Sequence, residues 1–284
     1  VFAPQIEVHA SPDDTSLGGE VDAGPLVVVV GGIDPTGAAG LLRDVATARA
    51  RGARPWAIGT AWTEQGDGVH RAEPRDAAAV GAALAHAMRV ARPAAAKIGM
   101  AVGPATADAL LGALEAYAGA VVVDPVLATS RGGCLWAAAP RDLLPLLRRA
   151  TLVTPNAPEA EALSGEPVST PAEAERAAKA LVERDGLTAV LVKGGHLDRG
   201  SGDAVVSDAQ TVTDILVTRV GALRVHRPRS PGRTPRGTGC ALATALAVEL
   251  GRGRALAEAV QAATTWLAGQ IAQARDTGGE RLLP

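Results

Sequence analysis

Gly237, Thr238, Gly239 and Cys240 open the run TPRGTGCALATALAVEL (234–250), placing two glycines and a thiol where an Ala- and Leu-rich segment begins. The first turn of a helix leaves about four backbone N–H groups without intrahelical partners and carries roughly half a positive charge. Glycines leave those donors open to an anion. A cysteine in that position can have its thiol pKa lowered toward neutrality. Together these residues predict a phosphate cradle with a base beside it. A packing thiol at a glycine-rich turn is the structural alternative.

Other residues could join such chemistry. Asp124 follows AVVV and precedes Pro125, so it stands at the mouth of an expected strand. A carboxylate there could orient hydrated magnesium, which is held by one or two carboxylates plus substrate phosphates, or it could cap a turn. Asn156 and Glu159 stand three apart in TPNAPEAEAL and share a helical face. That suits a water-bridged magnesium site, but the spacing by itself favours a helix N-cap with Glu at N3. Lys193 ends the apolar run VLV beside two glycines. A lysine facing a cleft calls for a charge partner, either a nucleotide phosphate or a structural ion pair. In GGIDPTGAAG (31–40), Asp34 and Thr36 fit both a helix-start turn and ligand contact. His196 reads as a turn residue, and His9, His70, His86 and His226 are scattered. Cys134, in RGGCLW, is expected to be buried as a small apolar residue. The chain has no GxxxxGK[ST] and no strand followed by GxGxxG.

The elements that must position these residues are short apolar runs alternating with helical patterns. Strands are expected at 26–32, 56–62, 94–100, 120–126, 150–156 and 189–195. Helices are expected near 37–51, 76–91, 104–117, 238–250 and 254–274. Continuous Val/Ile runs between helices predict an α/β fold with a parallel sheet covered on both faces. Residues 203–227 alternate in shorter runs, as antiparallel ribbons at a sheet edge do. Residues 1–25 read as a flexible extension, 26–284 as a single domain, and the terminal DTGGERLLP as a fraying end. In such sheets ligands sit at the carboxyl ends of the strands, where GGIDPTGAAG, TEQGDG, KIGM, DPV, TPNAPE and KGGH all fall.

Bulk composition narrows the classes. The 284 residues are 47% hydrophobic but only 2% aromatic, so the core must be Ala, Val and Leu. A formal net charge of −2 without long runs of one sign argues against nucleic acid or a membrane surface as partner. Two cysteines make neither a disulfide framework nor a metal cluster. No apolar run approaches the roughly 20 residues that span a bilayer, and the start lacks signal-peptide features. A cytoplasmic protein is the expectation.

In order and separation, GGIDPTGAAGLLRD, KIGM, DPV, TPNAPEAEALSG, VLVKGGH and GTGC resemble the hydroxymethylpyrimidine/phosphomethylpyrimidine kinases, a branch of the ribokinase-like superfamily. The resemblance covers about residues 26–275. It implies a three-layer α/β/α sandwich around a mostly parallel sheet, assembled as a homodimer. It also implies a kinase that uses ATP and Mg2+ to phosphorylate 4-amino-5-hydroxymethyl-2-methylpyrimidine and then its monophosphate. Cys240 would be the base, with Gly237, Thr238 and Gly239 as the anion hole. Lys193 and Asp44 would flank the phosphates, Thr154, Asn156 and Glu159 would lie on the nucleotide side, and Asp124, Asn156 and Glu159 would organise magnesium. Asp34, Asp44, Gln65, Met100 and Val126 would contact the substrate, Gln65 pairing with the ring's amino and nitrogen groups.

The sequence departs from the family pattern at Trp62, Thr63, Glu64, Gly66 and Asp67 around Gln65, at Ile33 and Ala38 in the first loop, and at Arg236, where the family carries His. Arg236 is expected to add charge beside the phosphates. These departures bear on the substrate, and a pyridoxal or pyridoxine kinase is the nearest rival. A non-catalytic pyrimidine sensor is the rival from another class.

Overall fold

The computed structural model describes residues 24–65, 70–128, 133–197, 211–277 and 279–284. The chain opens with β1 (Leu26–Ile33), α1 (Gly40–Ala50), β2 (Arg54–Gln65) and β3 (His70–Pro74). Next come α2 (Ala77–Ala91), β4 (Ala95–Ile98), α3 (Pro104–Ala113) and β5 (Ala120–Val123). The middle holds α4 (Leu144–Arg148), β6 (Leu152–Val153), α5 (Ala157–Ser164), α6 (Pro171–Glu183) and β7 (Ala189–Val192). It ends with β8 (Thr211–Thr218), β9 (Gly221–Pro228), α7 (Thr238–Gly251), α8 (Leu256–Ala272), β10 (Arg275–Thr277) and β11 (Glu280–Leu282).

Nine strands form one sheet in the order β3-β2-β1-β4-β5-β6-β7-β8-β9. The run from β2 to β7 is parallel, and β3, β8 and β9 add antiparallel edges. Alternation along β1 shows why the sheet needs two covering layers. Val28 and Val30 join the core beneath α2 to α6, whereas Val27 and Val29 face α1, α7 and α8. Every residue of α7 from Ala241 to Glu249 is buried, and its alanines let the helix lie close on the sheet. That helix carries the glycine-rich start into the molecule, so its orientation sets the site.

Two expectations are corrected. The C-terminal segment does not fray: β10 and β11 pair antiparallel, Leu283 is buried, and Arg43 donates to the carbonyls of Leu283 and Pro284 at 3.2 and 2.8 Å. Tertiary hydrogen bonds to main-chain carbonyls hold what local propensity leaves loose. Cys134 is exposed rather than buried, on a loop where its thiol donates to the Trp136 carbonyl at 3.1 Å. The edge ribbons appear as β8 and β9, while 203–210 and residues 1–23 of the expected extension lie outside the described residues.

Candidate active site

The glycine-rich segment becomes the start of α7. Gly237 precedes it with φ 75°, in the left-handed region that glycine adopts without penalty. A Cβ there would stand 2.1 Å from the Ala38 carbonyl oxygen, so the α7 start and the loop after β1 meet backbone to backbone. Gly237→Ala is expected to lower stability by about 1–3 kcal/mol through strain and loop separation, readable by denaturant titration. The same two loops are joined by an ion pair of Arg236 with Asp34 at 3.1 Å. Arg236 also pairs with Glu280 at 3.2 Å. Its charge is therefore matched by two carboxylates, contrary to the expectation that it would add net charge near phosphates.

Four strand ends converge on this helix start. Asp124, just past β5, receives Lys193 at 2.6 Å and the Thr154 hydroxyl at 3.1 Å, both on Oδ1. A Cβ on Gly239 would lie 3.3 Å from Lys193 Nζ and 3.9 Å from Asp124 Oδ2, so glycine keeps the gap between helix start and charged pair open. Lys193 also approaches Glu159 at 3.8 Å. Burial raises the Asp124 pKa, but Lys193 and then Lys97 outweigh it and hold the carboxyl below its usual range. Lys193 is fixed from behind: its N–H donates to Pro155 at 2.9 Å, and the next N–H, of Gly194, donates to Asp214 at 2.7 Å.

Asn156 and Glu159 form a capping box at the start of α5. The Asn156 side chain accepts from the Glu159 N–H at 2.9 Å, and Glu159 accepts from the Asn156 N–H at 2.7 Å. The capping alternative is thus the structural role of both residues. Glu159 further accepts from the Leu127 backbone, and burial raises its pKa to about 7 against the pull of Lys193. With these bonds in place, Asn156 and Glu159 order the wall beside Asp124. Among the described residues no cluster of three His, Cys, Asp or Glu could hold a metal.

Three further polar residues are buried near this edge. Thr154 is fully buried, and its hydroxyl donates to Asp124. Asp44 is also fully buried, with Lys97 at 2.7 Å and the Thr244 hydroxyl at 2.8 Å. Asp34, 1% exposed, accepts from the Thr36 N–H and hydroxyl and from Arg236, and so builds the loop. Met100 is buried over Gly32, where a Cβ would meet its sulfur at 2.6 Å, and its carbonyl accepts from Thr60. Val126 is half-buried beside Asp124. Gln65 ends β2, opposite His70, and its side chain lies outside the described residues, as do Gly66 and Asp67. Trp62 is 61% exposed.

Cys240 is half-buried at this strand-end crevice. Its thiol is not lowered toward neutrality. Burial pushes it up to about 11; Lys97 opposes this, Asp44 and Asp124 reinforce it, and the Gly40 N–H bonds the sulfur and pulls it down. The helix start alone does not overcome desolvation beside two carboxylates. Sequence reasoning passed over Lys97, which is 1% exposed at the centre of β4. Its signal was present: one lysine inside the apolar run AAAKIGM. An open hollow of about 570 Å³ lined by Arg51, Arg254 and Trp266 lies at the opposite end of the sheet and contains none of these residues.

A mostly parallel sheet between two helical layers, with a glycine-rich helix start, a lysine–aspartate pair and a thiol at its carboxyl edge, defines a ribokinase-like phosphotransferase. A family model described as phosphomethylpyrimidine kinase matches residues 34–282. The hydroxymethylpyrimidine/phosphomethylpyrimidine kinase of Rhizobium meliloti (strain 1021) is 34% identical, covering 88% of this chain and 91% of its own. The solved phosphomethylpyrimidine kinase of Clostridium difficile 630 superposes with a TM-score of 0.69 at 26% identity, over 87% of this chain and 98% of that one. The pyridoxal kinase of Staphylococcus aureus in complex with ADP gives a TM-score of 0.81 at 23% identity, over 92% and 93%, which is a likeness of fold. The chain belongs to the phosphomethylpyrimidine kinase family. No described helix is long and apolar enough to cross a membrane.

Proposed function

We propose that this protein transfers the γ-phosphoryl group of ATP to the hydroxymethyl oxygen of 4-amino-5-hydroxymethyl-2-methylpyrimidine, to its monophosphate, or to both, a reading supported by relatives named hydroxymethylpyrimidine/phosphomethylpyrimidine kinase. The supporting observation is the meeting of Gly239 with Lys193 and Asp124, which sets the α7 start beside an ammonium and a carboxylate. The Cys240 thiol first releases its proton to solvent; the alcohol oxygen then attacks phosphorus, the bond to the β-phosphate oxygen breaks, ADP leaves, and the alcohol proton passes to the Cys240 thiolate. Phosphoryl transfer has a loose transition state, so positioning and charge stabilisation supply most of the acceleration. The N–H groups at the α7 start meet the equatorial oxygens, and Lys193 meets the nucleotide's phosphates.

Magnesium fits this gap through one carboxylate. Both hydrogen bonds to Asp124 fall on Oδ1, and Oδ2 faces the α7 start. An ion held by Asp124, water and phosphates would neutralise charge on the nucleotide. Glu159 and Asn156 would order that water shell. Met100 and Val126 would flank the ring and Gln65 would pair with its polar edge, since an amide both donates and accepts. Residues 26–284 are assigned to one kinase domain acting as a cytoplasmic homodimer.

Purified protein incubated with ATP, magnesium and either the aminopyrimidine alcohol or pyridoxal provides the test. A kcat/KM at least about tenfold higher for the pyrimidine is expected. Preference for pyridoxal would overturn the substrate, and binding without turnover of either would favour the sensor.

A further inference from the structure

Lys97 is buried from end to end in the central sheet, although lysine is almost never fully buried unless paired. Its partner is Asp44 on α1, at 2.7 Å. Desolvating such a pair offsets most of its attraction, and well-packed apolar residues serve a core at least as well. Stability alone therefore does not explain an ion pair here, and its place in the fold points elsewhere. The Asp44 carboxylate takes Lys97 on Oδ2 and the Thr244 hydroxyl on Oδ1. Thr244 lies one turn along α7 from Cys240, on the same face. Strand β4, helix α1 and helix α7 are thus tied together next to the sulfur. Gly99 makes room for the ammonium: a Cβ there would stand 2.7 Å from Nζ.

We infer that Lys97 is a positioning residue for proton transfer at Cys240: its ammonium, held by Asp44, is a fixed positive charge near the sulfur, and the Asp44–Thr244 link holds α7 at the depth that keeps the thiol at the crevice. This role rests on the kinase reading above. The groups facing the sulfur are Lys97 from β4, Arg43 and Asp44 from α1, Asp124 after β5 and Lys193 after β7. Of the charges acting on the thiol, Lys97 is the strongest and favours the thiolate, while Asp44 and Asp124 oppose it. The pair therefore has its cationic end dominant at the sulfur. In the other direction, burial lowers the Lys97 pKa, but Asp44, through charge and hydrogen bond, and Asp124 oppose it and keep Lys97 charged.

The test uses the full chain carrying Cys134→Ser, which removes the exposed second thiol. Lys97→Met and the double variant Lys97→Met/Asp44→Asn are compared for Cys240 alkylation by iodoacetamide across pH 7–10.5, for kcat, and for the KM of ATP. The double variant leaves no buried charge alone, so it separates charge from packing. The inference expects a folded double variant whose alkylation profile moves to higher pH, with the rate at pH 8 and kcat each down by about tenfold or more and the KM of ATP unchanged. A double variant with parental alkylation and kcat would show that the pair only fills the core and would overturn the inference. Failure of the double variant to fold would overturn it equally, by making the pair a requirement of the fold. Alkylation needs no phosphoryl acceptor, so this outcome stands even if the wild-type chain phosphorylates neither alcohol.

Discussion

Cys240→Ala is expected to lower turnover by about 10²- to 10⁴-fold while leaving ATP affinity near the parental value. The two effects separate because the residue contributes through different atoms. Its backbone N–H belongs to the α7 start and persists in alanine, so the anion-binding donors stay in place. In the proposed mechanism its sulfur, as thiolate, accepts the proton. With the thiol raised to about 11, the resting side chain is protonated at neutral pH. The thiol must therefore release its own proton to solvent before its sulfur can take the alcohol proton, so kcat is expected to rise with pH toward that value. The measurement is kcat and the ATP dissociation constant on the same preparation. Parental kcat in the alanine variant would remove Cys240 from the reaction.

Lys193→Ala is expected to damage nucleotide affinity, rate and stability together. The ammonium pairs with Asp124 at 2.6 Å and stands 3.8 Å from Glu159, and both carboxylates are buried. Removing one partner of a buried pair costs up to about 3–5 kcal/mol, because the remaining charge is left without compensation. The sign with pH follows from Asp124. Its pKa is held below the usual value in the folded state, so its contribution is present above the unfolded carboxylate pKa and is lost as pH falls through the folded value. The destabilisation should therefore be full at neutral pH and shrink in acid. Denaturant titrations at pH 7 and at steps below pH 3.8, with ATP binding at pH 7, would check all three effects. A variant that binds ATP with parental affinity would place the phosphates away from Lys193.

Much of the fold was legible in the residues. Valine runs at 26–32 and 120–126 predicted buried parallel strands, and the helix expected at 76–91 is observed at Ala77–Ala91. Periodicity carries that information because burial on both faces of a sheet demands uninterrupted apolar residues. The site was legible as motifs whose strand-end placement brings them to one edge. Asp34, Asp44 and Thr154 were readable as polar residues near that edge, but not as buried supports whose oxygens are already bonded.

From its residues alone, then, the chain determined its strand and helix order, its family and the edge at which its chemistry gathers. Tertiary structure decided which polar groups remain open there. Lys97 meets Asp44 from 53 positions away and Thr244 meets Asp44 from 200, so neither link has a local pattern. The Cys240 thiol rises instead of falling because desolvation and through-space charge, which depend on burial and neighbours, outweigh the helix start that a sequence reveals.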